Sequence, residues 1–196
     1  KMSMVEQLPN LELESIAQNN SYGLLIFKPD AVEKDLVEPL IHHVLSSEPF
    51  IGNAEVEDLC VLPPLTNTED IRKIYPCLDG DIWEANKRLF ASNYTVIFLL
   101  KGENINMWQE LEKIKGKVIT NTTIHGLKDG LRGIIPTVGE KQIFLKIRDK
   151  KERKEVLSID DHYYLCRNLV HTPDTYNERL SILELMKTYK KNGNYP

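Results

Sequence analysis

The sequence predicts an α+β fold, an antiparallel sheet with helices packed on it. Two short and almost wholly apolar runs, 22–27 and 94–100, have the length and composition of buried strands. Between and after them, apolar residues recur at the helical spacing of about 3.6 residues. The elements follow in the order strand, helix, strand, two helices, strand, helix, long loop, strand, helix. That order fits a ferredoxin-like βαββαβ sandwich with a helical hairpin inserted, and a sheet of this kind is expected to carry its helices on one face.

Each element has its own justification. Residues 8–18 suit a short leading helix, and 22–27 a strand that ends on Lys28. Pro29 pushes Lys28 toward extended geometry. Asp30 is the expected N-cap of the next helix, with Glu33 three residues on as in a capping box. Leu36, Val37, Leu40, Ile41 and Val44 predict one amphipathic helix over 31–46. Residues 54–61 alternate as a second strand, which Pro63-Pro64 stops. Helices are expected at 68–75, 81–90 and 104–115, with Trp108 and Leu111 on one side of the last. The Gly- and Thr-rich stretch 116–139 reads as a long loop, a kind of segment that often carries function. Residues 142–147 are expected to form a short strand, 148–156 a solvated helix or loop, 160–165 a helix, Leu169-Val170 a strand stub and 174–190 a closing amphipathic helix.

Composition narrows the class. The chain has 196 residues, 41% of them apolar and 28% charged, ordinary values for a globular protein. It is expected to form a single domain over 1–196 with an insertion at 134–165. No apolar run approaches the roughly 18 residues of a membrane span, and Lys1-Met2-Ser3-Met4 lacks the apolar core of a secretory signal. The three cysteines, Cys60, Cys77 and Cys166, have neither disulfide-framework nor zinc spacing. No protein-bound metal is expected, and a reducing cytoplasm is the expected compartment. A net charge of −4 argues against general nucleic-acid binding while leaving room for a local basic pocket.

Two strand ends carry the chemistry. In Leu24-Leu25-Ile26-Phe27-Lys28-Pro29-Asp30 an apolar strand delivers a lysine beside a helix start. In Arg167-Asn168-Leu169-Val170-His171 a short strand delivers a histidine beside another. A lysine and a helix start suit phosphate, and a histidine suits nucleophilic capture of a phosphoryl group. Read alone, each is more simply a strand-end residue. The basic run 150–154 reads as a solvated face, and His42, His43, His125 and His162 as structural.

Four motifs in order resemble the nucleoside diphosphate kinases. They are Lys28-Pro29-Asp30-Ala31, Gly102-Glu103-Asn104 followed by Trp108-Gln109-Glu110-Leu111, Gly130-Leu131-Arg132-Gly133, and Arg167-Asn168-Leu169-Val170-His171. The resemblance runs from about Tyr22 to Lys187 with a gap at 134–165. It implies a ping-pong phosphoryl transfer through a phosphohistidine at His171. It implies phosphate contacts from Lys28, Arg132, Tyr75 and Thr120, and nucleotide contacts from Asn168 and from Trp83, which sits where the family stacks an aromatic ring on the base. It further implies Mg²⁺ held by the nucleotide phosphates, nucleoside di- and triphosphates as ligands, and a homo-oligomer, a dimer or higher.

The departures from the pattern bear on the same site. Gln109 stands where the family has a phosphate-gripping arginine, with Lys113, Lys115 and Lys117 as possible substitutes. Thr172-Pro173-Asp174 replaces Gly-Ser-Asp, and neither Glu178 nor Glu184 is in register with the glutamate that orients the family histidine. The register of the threonine loop is open among Thr120, Thr122 and Thr123. These changes leave two alternatives beside a kinase: a repurposed nucleotidyl- or phosphotransferase with a different acceptor, and a non-catalytic nucleotide-binding module.

Overall fold

The computed structural model describes residues 10–116, 130–133 and 138–191. Its centre is a four-stranded sheet in the order β2-β3-β1-β4, antiparallel at every pairing. The strands are β1 (Tyr22–Phe27), β2 (Ala54–Leu62), β3 (Thr95–Gly102) and β4 (Val170–His171). The helices are α1 (Asn10–Gln18), α2 (Pro29–Glu33), α3 (Val37–Leu45), α4 (Thr68–Ile74), α5 (Gly80–Phe90), α6 (Met107–Lys115), α7 (Val138–Glu152), α8 (Ile159–Cys166) and α9 (Tyr176–Lys191). A 3₁₀ turn spans Leu131–Gly133.

Strand β1 reads as a solid apolar run because it is buried on both sides. Leu24 and Ile26 point into a cluster with Leu13 of α1, Ile71 of α4 and Leu183 of α9. Leu25 and Phe27 point into a second cluster with Leu40 of α3 and Leu111 of α6. Helices therefore cover both faces of the sheet, where one face was expected. The period-2 pleat requires this, since an antiparallel strand with apolar residues at every position has no side to show to water. Gly23 lets α6 lie close on the sheet: a Cβ there would come within 2.5 Å of Leu111 Cδ1.

Two further expectations change. The single helix over 31–46 is two, because Asp35 takes a left-handed φ of 54° and the Leu36 N–H closes back on the Ala31 carbonyl, a helix C-cap in mid-pattern. The strand expected at 142–147 is part of α7. Its Phe144 and Ile147 are buried three residues apart, and so short an apolar run fits either period.

The segment after Arg132 thus contributes two helices, and α8 packs along α5. Salt bridges hold it to the rest of the fold: Lys34–Glu140 at 2.9 Å, Arg88–Asp160 at 2.6 Å and Arg167–Glu33 at 3.0 Å. Among the described residues no helix is long and apolar enough to cross a membrane.

Candidate functional site

The site is built where β1 and β4 end side by side. Ile26 pairs with His171 and Phe27 with Val170, so the register sets Lys28 beside the segment leading into the histidine. Asp30 does not cap α2 as expected. Lys28 holds the N-cap position with Pro29 following it, a place where proline's missing N–H costs nothing. The Asp30 carboxylate is fully buried and crosses to β4, where it accepts a hydrogen bond from the Leu169 N–H at 2.9 Å. The Lys28 N–H donates to the Leu169 carbonyl at 2.8 Å. Leu169 is thereby gripped from both sides at a φ of 74°, a conformation a leucine does not adopt unaided.

Lys28 is 1% exposed. Its ammonium donates to the Asn168 side-chain oxygen at 2.6 Å and to the Cys166 carbonyl. Burial pulls its pKa from 10.5 to about 8; Asp30 opposes the fall, while Arg132 and Lys115 add to it. Arg132 is also buried, its Nε donating to the Val170 carbonyl at 3.0 Å. Three cations thus crowd one histidine.

His171 lies well below its ordinary pKa, first through burial and then through Arg132, Lys28 and Lys115. The ring is therefore a neutral imidazole near pH 7. It donates one hydrogen bond, to the Ile74 carbonyl, and its Nε2 has no partner among the described residues. The proton then sits on the other nitrogen, and Nε2 keeps its lone pair. The Tyr75 ring lies against the imidazole at 4.4 Å between centroids, and burial pushes the Tyr75 hydroxyl pKa up.

Two cavities flank this cluster. The first, about 290 Å³, is lined by His171, Arg132, Tyr75 and Lys115, with Asp174 and Glu178 at α9. The second, about 280 Å³, lies between α5 and α8 and is lined in part by Lys28, Arg132, Tyr75 and Asn168. The structure thus gathers His171, Lys28, Arg132, Tyr75 and Asn168. It sets Trp83 apart: that ring is 9% exposed in the core, with the Arg72 guanidinium 3.6 Å over its face, and it lines neither cavity. Thr120 falls outside the described residues.

Gln109 is exposed, and Lys115, six residues on, reaches the first cavity instead. A signal for this was present, since Trp108, Leu111 and Lys115 share one helix face and a lysine on an apolar stripe is out of place. Glu178 does not orient the histidine: it accepts from the Asp174 N–H at 2.7 Å and caps α9, while the Ile74 carbonyl holds the ring. Thr172, in the altered Thr-Pro-Asp segment, is buried with its hydroxyl unpartnered among the described residues.

The chain shares its fold with a nucleoside-diphosphate kinase. One similar solved structure is a transition-state mimic of the Borrelia burgdorferi enzyme with bound vanadate and ADP, at a TM-score of 0.50 and 12% identity over 84% of each chain. At that identity the likeness speaks for the fold alone. No protein-family model and no curated protein matches the sequence.

Proposed function

We propose that the chain is a phosphotransferase that takes the terminal phosphoryl group of a nucleoside triphosphate onto His171. The observation that carries this is a neutral, buried imidazole with an unpartnered nitrogen, ringed by Lys28, Arg132 and Lys115 and bordering a cavity of about 290 Å³. Among the described residues Lys28 and Arg132 donate to neutral groups and Lys115 meets Asp174 only at 3.9 Å; cations so weakly paired favour an anion, and phosphoryl transfer asks mainly for positioning and charge neutralisation.

In the step, Nε2 attacks the terminal phosphorus, the N–P bond forms, and the bond to the bridging oxygen breaks with its electron pair leaving on the diphosphate. Hydrogen bonding to the Ile74 carbonyl favours the charge the ring gains. Lys28 and Arg132 meet the charge spread over the phosphate oxygens. Nε2 is buried and the Tyr75 ring lies against the imidazole, so phosphate entry requires the side chains around the ring to shift. The described residues hold no group of three or more metal-ligating side chains, while Asp174 and Glu178 border the cavity. That donor set fits Mg²⁺ carried by the nucleotide's phosphates, where it would supply further charge neutralisation.

The test is intact mass after incubation with ATP or GTP and Mg²⁺. One acid-labile phosphoryl adduct is expected on the wild type and none on His171→Ala. Nucleotide-induced thermal stabilisation without any adduct would sink the phosphohistidine and leave a nucleotide-binding module.

A further inference from the structure

The second cavity shares Lys28 and Arg132 with the proposed phosphoryl capture, and its apolar lining has no part in that capture. One wall is apolar: Leu78 and Ile82 before and within α5, and Leu165 and Cys166 at the end of α8. The lining also holds Lys28, Arg132, Asn168, Asn86 and His162, with Lys151 on α7. Among the described residues no carboxylate lines it, whereas Asp174 and Glu178 line the His171 cavity. An anion entering the second cavity therefore meets cations in its lining, with Asp30 acting on Lys28 from outside that lining. Lys28 has committed two of its three donors, to Cys166 and Asn168, and the third has no partner among the described residues.

The wall is poorly suited to a nucleobase. Trp83 lies beneath Arg72, and the Asn86 amide donates to the Ile82 carbonyl at 2.9 Å and to Cys166 Sγ at 3.2 Å. A base edge pressed on Leu78, Ile82 and Leu165 would give up hydrogen bonds to water that these three side chains do not replace, which leaves polar side chains of the lining such as His162 and Asn168 to meet it. Arg132 and Tyr75 line both cavities, so an anion in the second lies next to the histidine in the first.

We infer that the second cavity binds a small phosphate monoester with an apolar aliphatic or aromatic body, and that this monoester is the phosphoryl acceptor. The acceptor role rests on the proposed phosphohistidine. A terminal oxygen of the monoester attacks the phosphorus on His171, the O–P bond forms, and the N–P bond breaks with its electron pair returning to the ring nitrogen. The product is a diphosphate ester, and no further reactant is needed.

The experiment uses the full chain, as wild type, His171→Asn and Ile82→Asp, with phenyl phosphate and dimethylallyl phosphate as probes. Ile82 is 43% exposed, so the aspartate adds a charge to the pocket wall without opening the core. Both monoesters are expected to stabilise the wild type and His171→Asn in thermal melts, inorganic phosphate far less, and Ile82→Asp is expected to weaken binding ten-fold or more. No stabilisation by either monoester, or equal stabilisation by inorganic phosphate, overturns the inference whatever His171 does. On preformed phosphoenzyme, both monoesters are expected to discharge the phosphoryl group at least ten-fold faster than ADP; discharge by ADP alone overturns the acceptor role. Monoester binding with no phosphoenzyme under any condition removes the phosphohistidine and leaves the ligand class of the pocket supported.

Discussion

Two lysines of this fold are buried to nearly the same degree, and they keep opposite company. Lys190, near the end of α9, is 4% exposed and ion-paired with Asp58 on β2. Lys28, at the end of β1, is 1% exposed, and its hydrogen-bond partners are a carbonyl and an amide oxygen, both neutral. Around it stand Arg132 and Lys115, with Asp30 as the opposing charge. The first lysine is satisfied by the fold and ties α9 to the sheet. The second is left under-satisfied, a condition that a core residue has no reason to tolerate and an anion-binding residue does.

Breaking the satisfied pair should have the largest effect on stability. Lys190→Met leaves the Asp58 carboxylate buried beside an apolar chain, and is expected to cost about 3–5 kcal/mol. Asp58→Leu added to it should recover most of that loss, because an apolar pair of similar volume avoids both desolvation penalties. Denaturant unfolding of the single and double variants checks both. Stabilisation by ATP should be unchanged in the double variant, since this pair lines neither flanking cavity.

The same change at the other lysine should act with the opposite sign. A pKa lowered from 10.5 to about 8 corresponds to about 3 kcal/mol of unfavourable burial at neutral pH. Lys28→Met removes that cost and loses two hydrogen bonds, so the ligand-free protein is expected to be as stable as the wild type or more so, by up to about 2 kcal/mol. Stabilisation by ATP at a hundred times its wild-type dissociation constant, about 2.7 kcal/mol, should vanish. A Lys28→Met protein that loses stability and still binds ATP would make Lys28 a structural lysine like Lys190.

The contrast also marks what could be read from sequence. Strands β1 and β3 were legible because central strands are buried on both faces and leave unbroken apolar runs. Lys28 and His171 stood out in the sequence as strand-end residues and Arg132 only through the motif resemblance, and the structure brings the three together. Lys115 was half legible, as a cation on the apolar stripe of α6. The helical state of 142–147 was not, because six residues cannot separate a period of 2 from 3.6. The Asp30–Leu169 bond spans 139 residues in sequence, and no local pattern predicts such a contact. The second cavity depends on how α8 lies along α5, a tertiary fact without a sequence signature.

The smallest effect is also the one that most finely separates the two lysines, and it is a pH dependence. Lys28 has a folded pKa below its unfolded one, so between about pH 8 and 10.5 the unfolded chain binds more protons and Lys28 contributes a stability that rises with pH. Anion binding runs the other way, because the ammonium is present below about pH 8 and lost above it. ATP affinity is therefore expected to fall about ten-fold between pH 7 and pH 9, about 1.4 kcal/mol, and this slope should be absent from any residual binding in Lys28→Met. His171 gives the acid side. Its folded pKa is depressed, so its contribution is present above the unfolded value near 6.5 and is lost as pH falls below it. Above that value the imidazole is already neutral, and phosphoenzyme yield at saturating ATP should be flat from pH 6.5 to 8. A yield that rose through this window would mean that the histidine titrates normally and is not the buried, cation-ringed group described. A calorimetric titration of ATP at five pH values in the wild type checks the alkaline slope, and the phosphoenzyme yield at the same pH values checks the flat one.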